Sequence, residues 1–159
     1  MHIHKYEKIW LLFGIIALLA FTVTIGVSAF YMGNQPPSCL VTVDPTKLDT
    51  TAPFDQPGLK QVGEKEYELV VVASAFNYDV GPEKVVQIPV GSKVNFIGTT
   101  KDVIHGFEVA GTNANMMLEP GYINTVETTL NKPGKYTIVC NEYCGLGHHL
   151  MFATVEVVE

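Results

Sequence analysis

The sequence contains no arginine. Ten lysines stand against 16 acidic residues, for a net charge of −6. Phosphate binding needs a basic footprint, so nucleic acid is excluded as the main partner. Three cysteines are too few for a disulfide-dense secreted mini-protein. Charged residues are scarce, 16% against 47% hydrophobic, which excludes a disordered acidic tail. The 159 residues leave room for about one domain. The apolar excess is concentrated near the N-terminus, so the average composition hides two different solvents.

Residues 9–30 read IWLLFGIIALLAFTVTIGVSAF and carry no charge. As a helix they span roughly 33 Å, enough for a hydrocarbon core of about 30 Å. Trp10 and Tyr31 lie at the two ends, where amphipathic rings favour the interface. A cleaved signal peptide is the rival reading, with Val27-Ser28-Ala29 as a small-residue cleavage site. The apolar stretch is longer than the 7–15 residues usual for a signal. A retained anchor over residues 1–32 is therefore expected. Lys5 and Lys8 precede the span and Lys47 is the first cation after it, which places the N-terminus in the cytoplasm and the remainder outside.

Residues 33–63 hold five of the nine prolines and show no apolar periodicity. They read as an extended spacer over a surface, and Cys39 within it reads as a thiol without a role. From Glu64 the pattern changes to period two. Glu66–Ala73, Val85–Val90, Lys93–Gly98, Thr125–Leu130, Lys135–Cys140 and Phe152–Val158 read as strands. Turn signals at 89–92, 119–121 and 132–134 separate them. No helical stripe appears. Residues 64–159 are expected to form an all-β sandwich or barrel with Greek-key connections. This region carries the whole net charge, 12 acidic against 6 basic side chains.

The chemistry concentrates in Cys140-Asn141-Glu142-Tyr143-Cys144-Gly145-Leu146-Gly147-His148-His149-Leu150-Met151. Thiolate, imidazole and thioether are the donors that soft copper prefers. Gly145 and Gly147 can take positive φ, letting the chain fold back and return His148 and Met151 to one centre. His105, in Asp102-Val103-Ile104-His105-Gly106-Phe107, must reach that centre from a neighbouring loop. Cys140 and Cys144 taken alone also fit a disulfide. Zinc is a weaker alternative, because methionine is a poor zinc ligand. Spacing does not count the ions: Cys144, His148, Met151 and His105 also resemble a mononuclear blue-copper set.

At these residues the chain resembles subunit II of heme-copper cytochrome oxidases. The match is C-x-E-x-C-x3-H-x2-M with an upstream His, the family's binuclear CuA signature. The words D-V-I-H-G-F and C-N-E-Y-C-G-L-G-H, with Gly111-Thr112-Asn113, are most similar to the short single-helix subunits of the B-type branch. The resemblance implies a cupredoxin fold. It implies that Cys140 and Cys144 bridge two copper ions, with His105 and Met151 completing one. His148 and the backbone carbonyl of Glu142 complete the other. Asp102 then lies close to the copper and orients a ligand. Many relatives use a carboxylate at the Glu142 position for magnesium at the boundary with the catalytic subunit; close B-type relatives carry an amide there. The family pattern selects His148 over His149, because His148 sets the x2 spacing before Met151.

The implied function is to receive electrons from a soluble cytochrome c or cupredoxin. They pass to heme in subunit I, a larger membrane partner that reduces dioxygen and pumps protons. The chain would thus be one subunit of a proton-translocating oxidoreductase, in the plasma membrane of a prokaryote and in contact with its lipid. Longer relatives receive electrons near a tryptophan; the only one here is Trp10, in the anchor, so Phe76 is the candidate cover and docking residue. Two other readings are a membrane-anchored mononuclear cupredoxin carrier and a copper chaperone on a thioredoxin-like scaffold. A quinol-oxidase subunit is disfavoured, because such relatives lose the copper ligands.

Overall fold

The computed structural model describes residues 3–32, 38–83 and 85–159. The start of the expected spacer, 33–37, and the side chain of Cys39 lie outside the described residues. The chain divides into two compact units, Met1–Gln35 and Pro36–Glu159.

The first unit is one α-helix, α1 (Lys5–Gly26), continued by a π-helical turn, Val27–Tyr31. Its side chains are apolar on every face and none is buried. A helix hydrophobic all round is suited to lipid. The 27 residues reach about 40 Å at 1.5 Å per residue, long enough to cross a bilayer. The hydroxyls of Thr22 and Thr24 donate to the carbonyls of Leu18 and Ala20, at 2.8 and 2.9 Å. Their polarity is thereby satisfied within the helix, as lipid requires.

The second unit is a β-sandwich. Its strands are β1 (Ser38–Thr42), β2 (Gly58–Gln61), β3 (Glu66–Ser74), β4 (Asn77–Asp79), β5 (Val85–Pro89), β6 (Ser92–Thr100), β7 (His105–Val109), β8 (Asn115–Leu118), β9 (Tyr122–Leu130), β10 (Gly134–Val139) and β11 (Phe152–Val158). One sheet has the order β1-β9-β6-β3-β2, with β4 paired to β3; the other has the order β5-β11-β10-β7-β8. β3 pairs with β6 and β5 with β11 in parallel; the remaining ladders are antiparallel. All six strands expected from the period-two pattern are present, with ends within three residues. The only helical pieces among the described residues of this unit are 3-10 turns of three residues, Leu48–Thr50 and His148–Leu150. A thioredoxin-like chaperone scaffold, which needs crossover helices, is thereby excluded.

The main core lies between the sheets. Leu69, Val71 and Ala73 of β3 meet Phe96 of β6, Phe107 of β7, Ile138 of β10 and Val155 of β11. Phe107 is the hub, 5.3 Å from the ring of Phe96 and 5.9 Å from that of Tyr78, the latter edge-on. β3 does not alternate: Leu69–Ala73 are all buried. Val70 and Val72 point the other way, into a second core with Leu48 and Phe54. The region read as a spacer therefore differs from that expectation. From Ser38 onward it supplies β1, β2 and the two apolar side chains that cover the back of β3. Half-buried Val43, from the same segment, packs against this second core as well.

This packing predicts the cost of opening the second core. Phe54→Ala should destabilise the β unit by about 3–5 kcal/mol, read as a lower urea midpoint of the near-ultraviolet tyrosine signal. A change within about 0.5 kcal/mol, typical of surface sites, would show that residues 43–54 do not seal β3.

Candidate metal centre

The site is built where β10 leaves the sheet and β11 re-enters it. Val139 pairs with Phe152, so the twelve-residue connection starts and ends at one point, with Cys140 and Met151 side by side. On the other flank of β10, Val139 pairs with Glu108 of β7. Continued by three residues, that antiparallel register brings His105 alongside Glu142. The sequence places His105 on a loop; it is instead the first residue of β7, and sheet pairing fixes it more firmly than a loop would.

Gly106 makes the approach of the two segments possible. A Cβ there would lie 1.9 Å from Asn141 Oδ1, 2.7 Å from Asn141 N and 2.8 Å from Glu142 N. Asn141 is held in turn by Glu108 and Asn115, to which its amide donates at 3.0 and 3.2 Å. Gly145, at φ +131°, supplies the reversal expected of it. Gly147 does not: its φ of −92° is open to any residue.

The donor atoms converge. The ligand atoms of His105, Cys140 and Cys144 lie within 4.8 Å of one another. The two thiol sulfurs are 3.8 Å apart. Cys144 Sγ is 3.6 Å from His148 Nδ1 and 3.8 Å from Met151 Sδ. Cys140 Sγ is 3.1 Å from the carbonyl oxygen of Glu142. His105 and the two thiols thus form a tight group, with His148 and Met151 approaching Cys144 and the Glu142 carbonyl approaching Cys140. The cysteines are separate thiols, held at nearly twice a disulfide bond length of about 2.05 Å. Two thiolates about 2.3 Å from a shared ion, at a tetrahedral angle, lie about 3.8 Å apart, which is the spacing found.

His105 is completely buried. Its Nε2 is 2.9 Å from Asp102 Oδ1, while its Nδ1 has no hydrogen-bond partner. A buried imidazole nitrogen left unpaired is costly. A metal would satisfy it, and a carboxylate on the far nitrogen is the usual support for a metal-bound histidine. Partial burial alone would raise the Asp102 carboxyl. Hydrogen bonds from His105, Val103 N, Ala75 N and Thr100 outweigh it and hold the group below the usual carboxylate range. Asp102 is therefore an anion at neutral pH. Burial, then Cys140, push the Cys144 thiol up to about 11. Metal must displace that proton on binding.

The remaining predicted residues fall at the rim. The Glu142 side chain and His149 are exposed. Phe76 lies over Gly145 and Gly147, with 39% of its surface open. Tyr78 carries no local signal in the sequence, yet its buried hydroxyl donates to the Gly106 carbonyl, beside His105. Burial, then Cys140, push its phenol far above the usual range, so it stays a donor.

Gly106→Ala should force Asn141 and Glu142 outward and weaken metal binding at least roughly tenfold. Competition against a chelator reads the affinity, with far-ultraviolet circular dichroism unchanged. Undiminished affinity would mean that the β7 approach does not shape the site.

Comparisons with known proteins place the chain in a family. The family "Cytochrome C oxidase subunit II, periplasmic domain" matches residues 70–158. A cytochrome c oxidase subunit 2 of Thermus thermophilus is 40% identical over 158 residues, 97% of this chain and 92% of that protein. A second Thermus thermophilus protein of that name is 43% identical over 129 residues, 80% of this chain and 93% of that one. A chain from the cryo-EM structure of a heme-copper terminal oxidase dimer superposes with a TM-score of 0.83. It is 35% identical, over 97% of this chain and 100% of that one. The periplasmic domain of subunit II of a Bradyrhizobium japonicum cytochrome oxidase, 21% identical, shares the fold at a TM-score of 0.50, over 62% of this chain and 88% of that domain. On sequence, fold and extent of match together, this chain is a member of the cytochrome c oxidase subunit II family, with its cupredoxin-like β-sandwich.

Proposed function

We propose that this chain is the electron-receiving subunit of a heme-copper terminal oxidase. It takes electrons from a soluble cytochrome c or small copper protein and delivers them to heme in subunit I, where dioxygen is reduced and protons are pumped. The observation that carries this reading is the clustering of two thiols with a buried imidazole, and the approach of a second imidazole, a thioether and a carbonyl to those two sulfurs. A bound copper pair supplies a one-electron relay whose potential its ligands set.

The protein's part is to hold and shield. Cys140 and Cys144 would hold both ions, with His105 and Met151 as further donors to one and His148 and the Glu142 carbonyl as further donors to the other. Six donors are more than one four-coordinate ion would use, which favours two ions. Asp102 takes the Nε2 proton of His105 in a hydrogen bond and leaves the Nδ1 lone pair facing the site. Burial of His105, Cys140 and Met151 keeps water from the inner side. A cage set by sheet register changes little between oxidation states.

Phe76, with the exposed Tyr143, Leu146 and Leu150, forms an apolar rim on which the donor docks. The Glu142 side chain is open to a magnesium ion at the boundary with subunit I. Residues 1–32 anchor the subunit in the lipid of a prokaryotic plasma membrane, with the N-terminus cytoplasmic and the copper unit on the outer face.

Cys140→Ser decides between shared and separate sulfurs. It should abolish the mixed-valence copper EPR signal while leaving the β circular dichroism in place. A normal mixed-valence signal from Cys140→Ser would overturn bridging. Met151→Leu should keep the signal and shift the midpoint potential, because a thioether is a weak axial-type ligand.

A further inference from the structure

Phe76 is the one non-glycine residue at positive φ among the described residues, at +65°. It occupies the second position of the two-residue turn between β3 and β4, which Ser74 and Asn77 close by pairing. Glycine or asparagine ordinarily fills such a position. A bulky side chain there is an outlier that the surroundings must enforce. The ring is where the enforcement shows. A Cβ on Gly147 would fall 2.5 Å from Phe76 Cγ and 2.6 and 2.9 Å from the two Cδ atoms. One on Gly145 would lie 3.2 and 3.3 Å from the far edge of the ring. The ring therefore packs directly on the backbone between Cys144 and His148. Gly147 has φ −92° and ψ 9°, so its backbone does not require glycine. The space its missing side chain leaves is filled by Phe76.

The same turn is fastened to the other side of the site. Ala75 N donates to Asp102 Oδ2 at 2.5 Å, while Asp102 Oδ1 holds His105 Nε2 at 2.9 Å. Two residues on from Phe76, Tyr78 donates to the Gly106 carbonyl. The β3–β4 turn supplies no ligand, yet it touches both ligand-bearing segments.

We propose that Phe76 is a positioning residue: seated in the slot left by Gly147 and tied to His105 through Ala75 and Asp102, its ring holds the Cys144–His148 segment in metal-binding shape before metal arrives. The inference rests on the copper-centre reading for what the shape is for, but the brace itself is a property of the metal-free chain.

The test is a double-mutant cycle in the full-length chain in detergent micelles. In metal-free protein, alkylation of the Cys144 thiol by iodoacetamide is followed by peptide mass spectrometry. Phe76→Ala and Gly147→Ala should each speed it severalfold. The double variant should react no faster than Phe76→Ala, because without the ring the added methyl meets nothing. Phe76→Tyr should behave as the parent. In copper-loaded protein, Phe76→Ala should release copper to a chelator roughly 10- to 100-fold faster and alter the copper hyperfine pattern. Parental alkylation and release rates in Phe76→Ala, or single effects that multiply in the double variant, would overturn the brace. Parental chain that binds no copper yet shows the alkylation coupling would overturn the copper reading and leave the brace standing.

Discussion

Two thiol sulfurs held 3.8 Å apart, unbonded, are the constraint that the β unit is organised to meet. Nothing in the twelve-residue connection could hold that spacing alone. The Val139–Phe152 pairing closes its ends, and the β7 ladder sets His105 beside it. Gly106 leaves out a Cβ that would collide with Asn141 and Glu142. Asp102 then binds the parts together, accepting from Thr100, Val103, His105 and Ala75. The ligand cage is thus a by-product of sheet register plus one carboxylate. A cage set by sheet register has little freedom to change shape, which suits the electron-transfer role proposed above.

The cost of this arrangement is visible at two places. His105 Nδ1 is buried without a partner, and Phe76 sits in a backbone region that a bulky residue avoids. Both lie against the same site. A bulky residue at positive φ and a fully buried imidazole nitrogen without a partner, set against the same loop, mark a place where function overrides stability.

The spacing of Cys140, Cys144, His148 and Met151 was legible in the sequence because all four lie on one loop, where local order determines proximity. The strands with clean period two were legible for the same reason. What could not be read locally is what depends on the other face of a strand. The unbroken run Leu69–Ala73 signals burial on both sides, but its cover, Leu48 and Phe54, is scattered through a proline-rich stretch with no period of its own. His105 reads as a loop residue because β7 is short and interrupted by Gly106; the sheet contacts that make it a strand come from distant residues. Gly147 reads as a turn glycine, and only the ring of Phe76, 71 positions earlier in the chain, explains it.

X-ray absorption at the copper edge of the copper-loaded chain should show two sulfur scatterers per copper and a short copper–copper vector, as expected of two ions sharing Cys140 and Cys144. A single copper per chain with no copper–copper vector, or a first shell of nitrogen and oxygen without sulfur, would contradict it.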